Sequence, residues 1–461
     1  MFLKKTNFFI AFRIILSFLL AANFFILSSP ICAQQTVYAN DTNQYLTLKQ
    51  CIDYALLHQP ALNQSLINVS IAKTTNAINL SGWYPQVNIS ANVTHYIQLP
   101  TTFIPDSTNP GGGPVKTTTG VTNTVIPELS VTQAIFSAGL LYYSKVAPIY
   151  IKQAQQITDS TKINIVASVS LAFYNLLLTL EQIKVLKEDT VLFAQNFRDA
   201  YHQYVGGIVD ETDYEQANIT LNNSKAQLRQ ANENIVPQYA ALKQLMGYPY
   251  QNQFNVSFDT LEMRQDIAFD TTQQLQFEKR IEFKQLQTSK DLQRQLTDYY
   301  RHSFLPTLSA FYTYNYEFQS NSYSNLYGNS YPNSLVGLSL NLPVFTGFSR
   351  VKGIERSKLQ ERLLDWSEVD LKLQIYNEYT TAMSTYRGNL YNMQVLQENV
   401  TMAKRVYYVV TLQYKQGLVA YLNVVTAESN LISSEISYIN ALFQVLSSKI
   451  DLQKAMGIIS Y

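Results

Sequence analysis

The sequence YVGGIV at Tyr204–Val209 decides the fold, because it recurs as YKQGLV at Tyr414–Val419. The two stretches lie 210 positions apart (414 minus 204), and the match continues without a gap to Met246-Gly247 and Met456-Gly457. Self-similarity at a fixed period is the signature of a tandem duplication. We therefore expect two equivalent halves, at residues 34–256 and 257–461.

The offset between the halves changes upstream of these turns. Trp83-Tyr84-Pro85 aligns with Phe304-Leu305-Pro306 at 221 positions, whereas Leu129–Phe136 aligns with Leu338–Phe345 at 209 positions. The two copies therefore differ by a loop of 12 residues (221 minus 209) that follows the proline.

Residues 1–33 resemble a secretory signal. They combine a basic start at Lys4 and Lys5 with an apolar run and a small residue at Ala33. We therefore expect the mature protein to leave the cytoplasm. Lipidation of Cys32 is the less favoured alternative, because the bulky Ile31 precedes it.

Composition argues against several functional classes. The formal net charge is +1, which gives no electrostatic reason to bind nucleic acid. The four histidines have no metal-ligand spacing to one another or to a cysteine, and we find no phosphate loop or nucleophile elbow. We therefore expect no enzyme, no metal and no cofactor.

Two pairs of strands are predicted, at about residues 86–99 and 124–137 and at about 307–319 and 334–346. Apolar and polar residues alternate in each, and in the third strand the apolar set is Leu308, Ala310, Tyr312, Tyr314, Tyr316 and Phe318. Residues 100–123 read as a loop. Beyond the signal no run of 18 or more apolar residues occurs, so we expect any membrane crossing to be made by strands.

Four strands cannot close a barrel, which needs about 8. If these strands cross a membrane, several chains must therefore share one barrel. The alternative is a hairpin that packs on helices outside any membrane.

Long helices are predicted at about residues 139–204, 211–246, 348–414 and 420–456. The last one carries apolar residues at alternating steps of three and four, which predicts a coiled-coil seam: Leu422, Val425, Ser429, Ile432, Ile436, Ile439, Phe443, Leu446 and Ile450. In each half, two shorter helices together match the length of one long helix. We therefore expect them to stack end to end along it.

These features together resemble the TolC-like outer-membrane efflux proteins. The resemblance rests on Leu46–Ala55, Gly82–Val87, the strand ends before Gly139 and Gly347, and the two glycine turns. It implies a mainly α fold with a β-barrel contribution, in which four strands per chain build a 12-stranded barrel shared by a homotrimer. The barrel would lie in outer-membrane lipid, with a helical tunnel extending into the periplasm.

The resemblance also implies partners and sites. The two turns would dock onto a periplasmic adaptor (membrane fusion) protein that links the channel to an inner-membrane pump of RND or ABC type. The docking residues would be Gly207, Ile208, Val209, Gly417, Leu418 and Val419, and the residues of a closing gate would be Thr212, Asp213 and Tyr414.

Two further positions correspond to the entrance constriction of the family. Some members carry a ring of carboxylates there, but this chain has Asn423 and Thr426. A basic residue often found two positions after the second glycine is replaced by Val419. Because the carboxylates are missing at positions 423 and 426, the question of whether the entrance responds to cations stays open.

The function predicted from sequence is a passive exit duct for substrates delivered by a pump and its adaptor. A type I protein secretion outlet is one alternative, and a periplasmic coiled-coil scaffold without a pore is another. The transported substrates stay open.

Overall fold

The computed structural model describes residues 45–105, 113–257, 267–270 and 272–461. Within these ranges, Tyr45–Gln251 and Asn255–Tyr461 form one compact unit. The predicted signal at residues 1–33, with Cys32, lies outside the described residues.

Each half contains a set of helices interrupted by a pair of long strands. The elements of the first half are β1 (Tyr45–Leu46), α1 (Leu48–His58), α2 (Pro60–Leu80), β2 (Gln86–His95), β3 (Thr101–Ile104), β4 (Val115–Thr118), β5 (Asn123–Phe136), α3 (Ala138–Val205) and α4 (Glu211–Met246). Those of the second half are β6 (Asn255–Val256), α5 (Ile281–His302), β7 (Thr307–Ser320), β8 (Ser330–Asn341), α6 (Ser349–Lys415) and α7 (Tyr421–Met456).

One long helix organises each half, as predicted. Helices α2 and α4 both pack along α3, and α5 and α7 both pack along α6. Because α3 has 68 residues and α6 has 67, each spans roughly 100 Å at a rise of about 1.5 Å per residue. The halves meet where α3 packs against α5 and α7 and where β5 pairs with β7.

In each half the last helix, α4 or α7, ends at a glycine that lies against the backbone of an earlier segment of the same half. We call this contact the glycine junction. Gly247 ends α4 with φ of 67°, and Gly457 ends α7 with φ of 68°. A Cβ at Gly247 would lie 2.7 Å from the carbonyl oxygen of His58, and one at Gly457 would lie 2.9 Å from the carbonyl carbon of Lys279. Both positions therefore require glycine for conformation and for space.

The junction in the second half is held further by Arg280, which is 4% exposed. Its guanidinium donates to the carboxylates of Glu282 at 2.9 Å and Glu378 at 2.7 Å, and to the carbonyl of Ala455 at 2.9 Å. It thereby ties the start of α5 to α6 and to the end of α7.

The four long strands form one antiparallel sheet in the order β2-β5-β7-β8. Two predicted strand ranges are wrong at their ends. β2 stops at His95 rather than 99, and β8 spans Ser330–Asn341 rather than 334–346. In β8 the early end has a covalent cause, because Pro343 lacks the N–H that a ladder needs.

The prediction that residues 100–123 form only a loop is also wrong. It contains the hairpin β3-β4, in which Thr101 pairs with Thr118 and Ile104 with Val115. These residues are β-branched and favour strands. The extra residues of the first copy therefore include a short hairpin.

Helix α3 also contains a stretch that is long and apolar enough to span a membrane by length and composition, and it is the one such helix found in the described part of the chain. Over half of that stretch, 56%, is buried inside the protein, as in an ordinary core helix.

Candidate functional site: the sheet edges and the helical turns

The strand register collects the apolar residues of all four long strands on one face. Val131 pairs with Tyr312 and Leu129 with Tyr314, and Tyr312 in turn pairs with Val336. On β2 the same face carries Ile89, opposite Leu129. Because side chains alternate across a strand, the other face carries mainly polar residues, with Phe311 and Leu335 among them: Asn88, Ser90, Glu128, Ser130, Thr313 and Asn315.

Both edges of this sheet are open, because β2 and β8 each pair with one strand only. The edge strands also expose aliphatic side chains to an unusual degree. On β2, Ile89 is 71% and Val93 is 72% exposed, and on β8, Val336 is 80% and Leu338 is 70% exposed. Long exposed apolar edges are templates for pairing with another chain.

The two helical turns have nearly the same backbone geometry. Gly207 has φ of 70° and Gly417 has φ of 73°. The amide of Ile208 donates to the carbonyl of Gln203 at 2.9 Å, and that of Leu418 donates to Gln413 at 3.0 Å. This is the Schellman pattern, which ends a helix on a left-handed residue.

The two apolar residues that follow each glycine differ in their exposure to solvent. Ile208 and Leu418 are 75% and 68% exposed, whereas Val209 and Val419 are half-buried. Val419 packs against a cluster of buried residues that includes Tyr414, Tyr421 and Val424. Each turn therefore presents one apolar side chain outward, and at the second turn the next side chain, Val419, packs against the buried cluster.

The predicted gate residues lie close together but differ in exposure. Thr212 is exposed, Asp213 is half-buried, and Tyr414 is buried with its ring 5.1 Å from that of Tyr421. Among the described residues the Tyr414 hydroxyl has no hydrogen-bond partner. Burial, with smaller contributions from Asp213 and Asp199, raises the pKa of Tyr414 to about 12.

The pKa of the Asp213 carboxyl depends on its surroundings at the start of α4. Burial, and then the nearby Asp210, raise the pKa of its carboxyl above the usual value.

The two predicted constriction residues, Asn423 and Thr426, are both exposed on α7. The Thr426 hydroxyl donates to the carbonyl of Leu422 at 2.9 Å.

The coiled-coil seam predicted for α7 is correct at Ile439, Leu446 and Ile450, which are buried. It is wrong nearer the turn, where Leu422 is 67% exposed and Ser429 is exposed too. The residues buried there are Tyr421, Val424, Ala427, Glu428, Leu431 and Glu435. A neighbouring stripe of the helix therefore faces the core at this end.

Sequence reasoning missed a buried polar cluster that this stripe carries. Glu428 is 1% exposed and accepts a hydrogen bond from the side-chain amide of Asn196. The same amide donates to the Tyr407 hydroxyl at 2.9 Å. The available signal was two glutamates, Glu428 and Glu435, at heptad spacing on a helix whose other positions of that stripe are apolar.

Burial has the largest effect on the pKa values of the carboxyls in this cluster. It raises the pKa of Glu428 to about 7, with Asp189 adding to the rise and the Asn196 hydrogen bond opposing it. Burial also raises the pKa of Asp189 to about 7, with Glu435 and Glu188 adding and Lys404 opposing. In the described ranges no group of three or more His, Cys, Asp or Glu side chains is arranged to hold a metal ion.

Comparison with known proteins agrees with this architecture. The profile of the family described as Outer membrane efflux protein matches residues 51–248 and 274–458. No curated protein sequence matches the chain.

Three similar solved structures superpose on most of this chain. CusC superposes with a TM-score of 0.72 at 14% identity, covering 91% of this chain and 95% of its own. CmeC of Campylobacter jejuni has a TM-score of 0.68 at 19% identity, covering 89% and 85%. The open state of MtrE of Neisseria gonorrhoeae has a TM-score of 0.67 at 16% identity, covering 89% and 88%.

The family match spans both halves, and the structural matches span both the sheet and the long helices. Channels of this family form trimers within tripartite efflux systems. Their function is transport and not enzymatic catalysis. The chain belongs to the outer membrane efflux protein family, and it is a TolC-like efflux channel of the outer membrane with a helical tunnel in the periplasm.

Proposed function

We propose that three copies of this chain share one 12-stranded barrel and form a passive exit duct. The observation that carries this proposal is the open four-stranded sheet with two exposed apolar edges. Two copies would supply eight strands, but a barrel of about 8 strands is filled by its own side chains. Three copies are the smallest number that leaves a lumen.

Exposed apolar residues on the helices support the same assembly. On α6, Leu359, Leu363, Trp366 and Leu373 follow one another at helical spacing and are 56–75% exposed. On α2, Ile67, Ile71 and Ile78 are 55–65% exposed. Neighbouring copies would cover these stripes, since contiguous exposed apolar surface marks sites of association.

Cysteine crosslinking tests the closed ring. The variant Asn88→Cys/Ser339→Cys places one thiol on each edge strand, and a flexible bis-maleimide should link β8 of one copy to β2 of the next. Because a ring of three closes, covalent products should stop at the trimer. Single variants are the matched controls and should give no ladder, and Cys51 is buried. Products that stop at the dimer or continue beyond the trimer would contradict the proposal.

The two turns are the proposed contact with a periplasmic adaptor. Ile208 and Leu418 are the exposed apolar residues at the tips, each beside a glycine that makes the reversal possible. Gly207, Gly417, Val209 and Val419 would shape the turns rather than contact the partner. The adaptor would connect the channel to an inner-membrane pump of RND or ABC type, or to a type I secretion exporter.

The same end of the molecule carries the proposed gate. Thr212, Asp213 and Tyr414 lie beside the turns, and the buried Tyr414 hydroxyl has no partner in the described part of its own chain. A neighbouring copy would supply that partner in the closed state. Asn423 and Thr426 would line the entrance with neutral polar groups.

A further inference from the structure

The Glu428 cluster joins three helices near both turns. Asn196 lies on α3, nine residues before its end, Tyr407 lies on α6, and Glu428 lies on α7, seven residues after its start. At about 1.5 Å per residue these sites are roughly 10–15 Å from the turns. Any separation of α3 from α6 and α7 at this end must therefore break the hydrogen bonds of Asn196.

The cluster gives Glu428 few partners for an ionised carboxylate. One oxygen accepts from Asn196, and the other has no hydrogen-bond partner among the described residues. A buried carboxylate needs several donors or a cation to remain ionised. Lys404, the cation that lowers the pKa of the neighbouring Asp189, is engaged at 2.8 Å with Glu435.

The remaining charged and titratable groups around Glu428 do not favour its ionisation. From α3 it faces Asp189, which is 6% exposed and whose second carboxyl oxygen also has no partner among the described residues. From α6 it faces the Tyr407 phenol. On its own helix Tyr421 lies nearby, and Asp213 of α4 acts on that phenol and not on Glu428.

We propose that Glu428, Asn196 and Tyr407 form a proton-operated latch. It holds the ends of α3, α6 and α7 together while Glu428 is neutral and releases them when Glu428 ionises. The latch rests on the proposed function, because opening of the helical end is what would admit substrate.

The sign follows from the pKa of Glu428, which burial raises from its usual 4.5 to about 7 in the packed state. Below pH 4.5 the carboxyl is neutral whether packed or solvated, so packing is fully stable. Between pH 4.5 and 7 the solvated state ionises first, and the packed state loses stability as pH rises. The ratio of open to packed molecules should therefore increase by up to about 300-fold over this window and then level off.

The test uses the full-length trimer in detergent and in planar bilayers, at pH 5 to 8. We expect hydrogen exchange at residues 421–431, corrected for the intrinsic rate, to rise with pH together with the open probability. Glu428→Gln should weaken this dependence, and Glu428→Gln/Asp189→Asn, which also removes the second carboxyl whose pKa burial raises to about 7, should abolish it and keep the low-pH behaviour at pH 8. The matched control Glu215→Gln neutralises an exposed carboxylate near the first turn and should behave as wild type.

A second variant shows whether Glu428 acts by titration or only by packing. Asp189→Asn removes a second titrating carboxyl, whose negative charge raises the pKa of Glu428 as the pH approaches 7, so the midpoint of the pH profile should move to lower pH. An unchanged midpoint, or a wild-type dependence in Glu428→Gln, would overturn the latch. A channel that conducts equally at pH 5 and 8 would also refute it, whereas a trimer that conducts at no pH would refute the proposed function instead.

Discussion

Replacement of Gly457 by alanine tests whether the junction at the end of α7 requires glycine for space as well as for conformation. Gly417 is the matched control, because its φ of 73° is close to the 68° of Gly457. A Cβ at Gly417 would meet nothing within 4 Å, whereas one at Gly457 would meet backbone atoms of Lys279 and Arg280 at 2.9–3.0 Å.

The two contributions to the cost can be separated. A left-handed conformation costs a non-glycine residue roughly 1–2 kcal/mol, and this applies to both sites. The contact at Gly457 involves backbone that cannot rotate away, and forcing an extra carbon into a packed site typically adds about 1–3 kcal/mol. We therefore expect Gly457→Ala to destabilise the protein by about 1–3 kcal/mol more than Gly417→Ala.

The measurement is the denaturant midpoint of the purified trimer, followed by helical circular dichroism. The first half provides an independent repeat of the experiment, since Gly247→Ala and Gly207→Ala form the same pair, with a backbone contact of 2.7 Å at Gly247 and open space at Gly207. Equal losses within each pair would show that the backbone at the junction yields, and the reasoning would fail.

Three further predictions concern the outer surface and the tip. Leu418→Asp should abolish efflux without reducing the trimer, because the exposed apolar contact loses roughly 1.5–3 kcal/mol of transfer energy; Val236→Asp, equally exposed on α4 but far from the turns, should leave susceptibility unchanged, and normal susceptibility in Leu418→Asp would exclude docking there. Tyr314→Lys should cost about 2–4 kcal/mol and reduce outer-membrane assembly, while Asn315→Lys on the opposite face should assemble; equal tolerance would contradict the assignment of faces. Tyr414→Phe should raise single-channel conductance if a neighbouring copy bonds its hydroxyl, and an unchanged conductance with an intact trimer would argue against this gate.

The sequence predicts the features that depend on local geometry. A left-handed turn needs Gly207 or Gly417, and alternation along β7 places Tyr312 and Tyr314 on one face, so the repeats, long helices and strand faces can be predicted from short windows. The β3-β4 hairpin was missed because its threonines lie among prolines and glycines that indicate a loop.

The Glu428 cluster could not be predicted in the same way. Its members, Asn196, Tyr407 and Glu428, are separated by up to 232 residues, and no periodicity links them. The heptad pattern of α7 also offered a competing apolar stripe that begins at Leu422, and the choice between the stripes depends on how α3 and α6 pack against the helix.

The duplication makes the two tips comparable, and the comparison shows that they have diverged in one respect. Ile208 and Leu418 occupy equivalent exposed positions, so both turns can serve the same contact. The equivalent of Glu428, 210 positions earlier, is Asn218, which is exposed and carries no charge.

The first helical residues after the two turns also differ in their burial. The second turn is followed by Tyr421, which is 2% exposed, whereas the first is followed by the exposed Glu211. A partner that docks on both tips would therefore meet a buried glutamate beneath the second turn and an exposed asparagine at the equivalent position of the first. If the tip has two states, the proposed latch makes their balance depend on pH, because separating α6 and α7 from α3 breaks the hydrogen bonds of Asn196 and exposes Glu428.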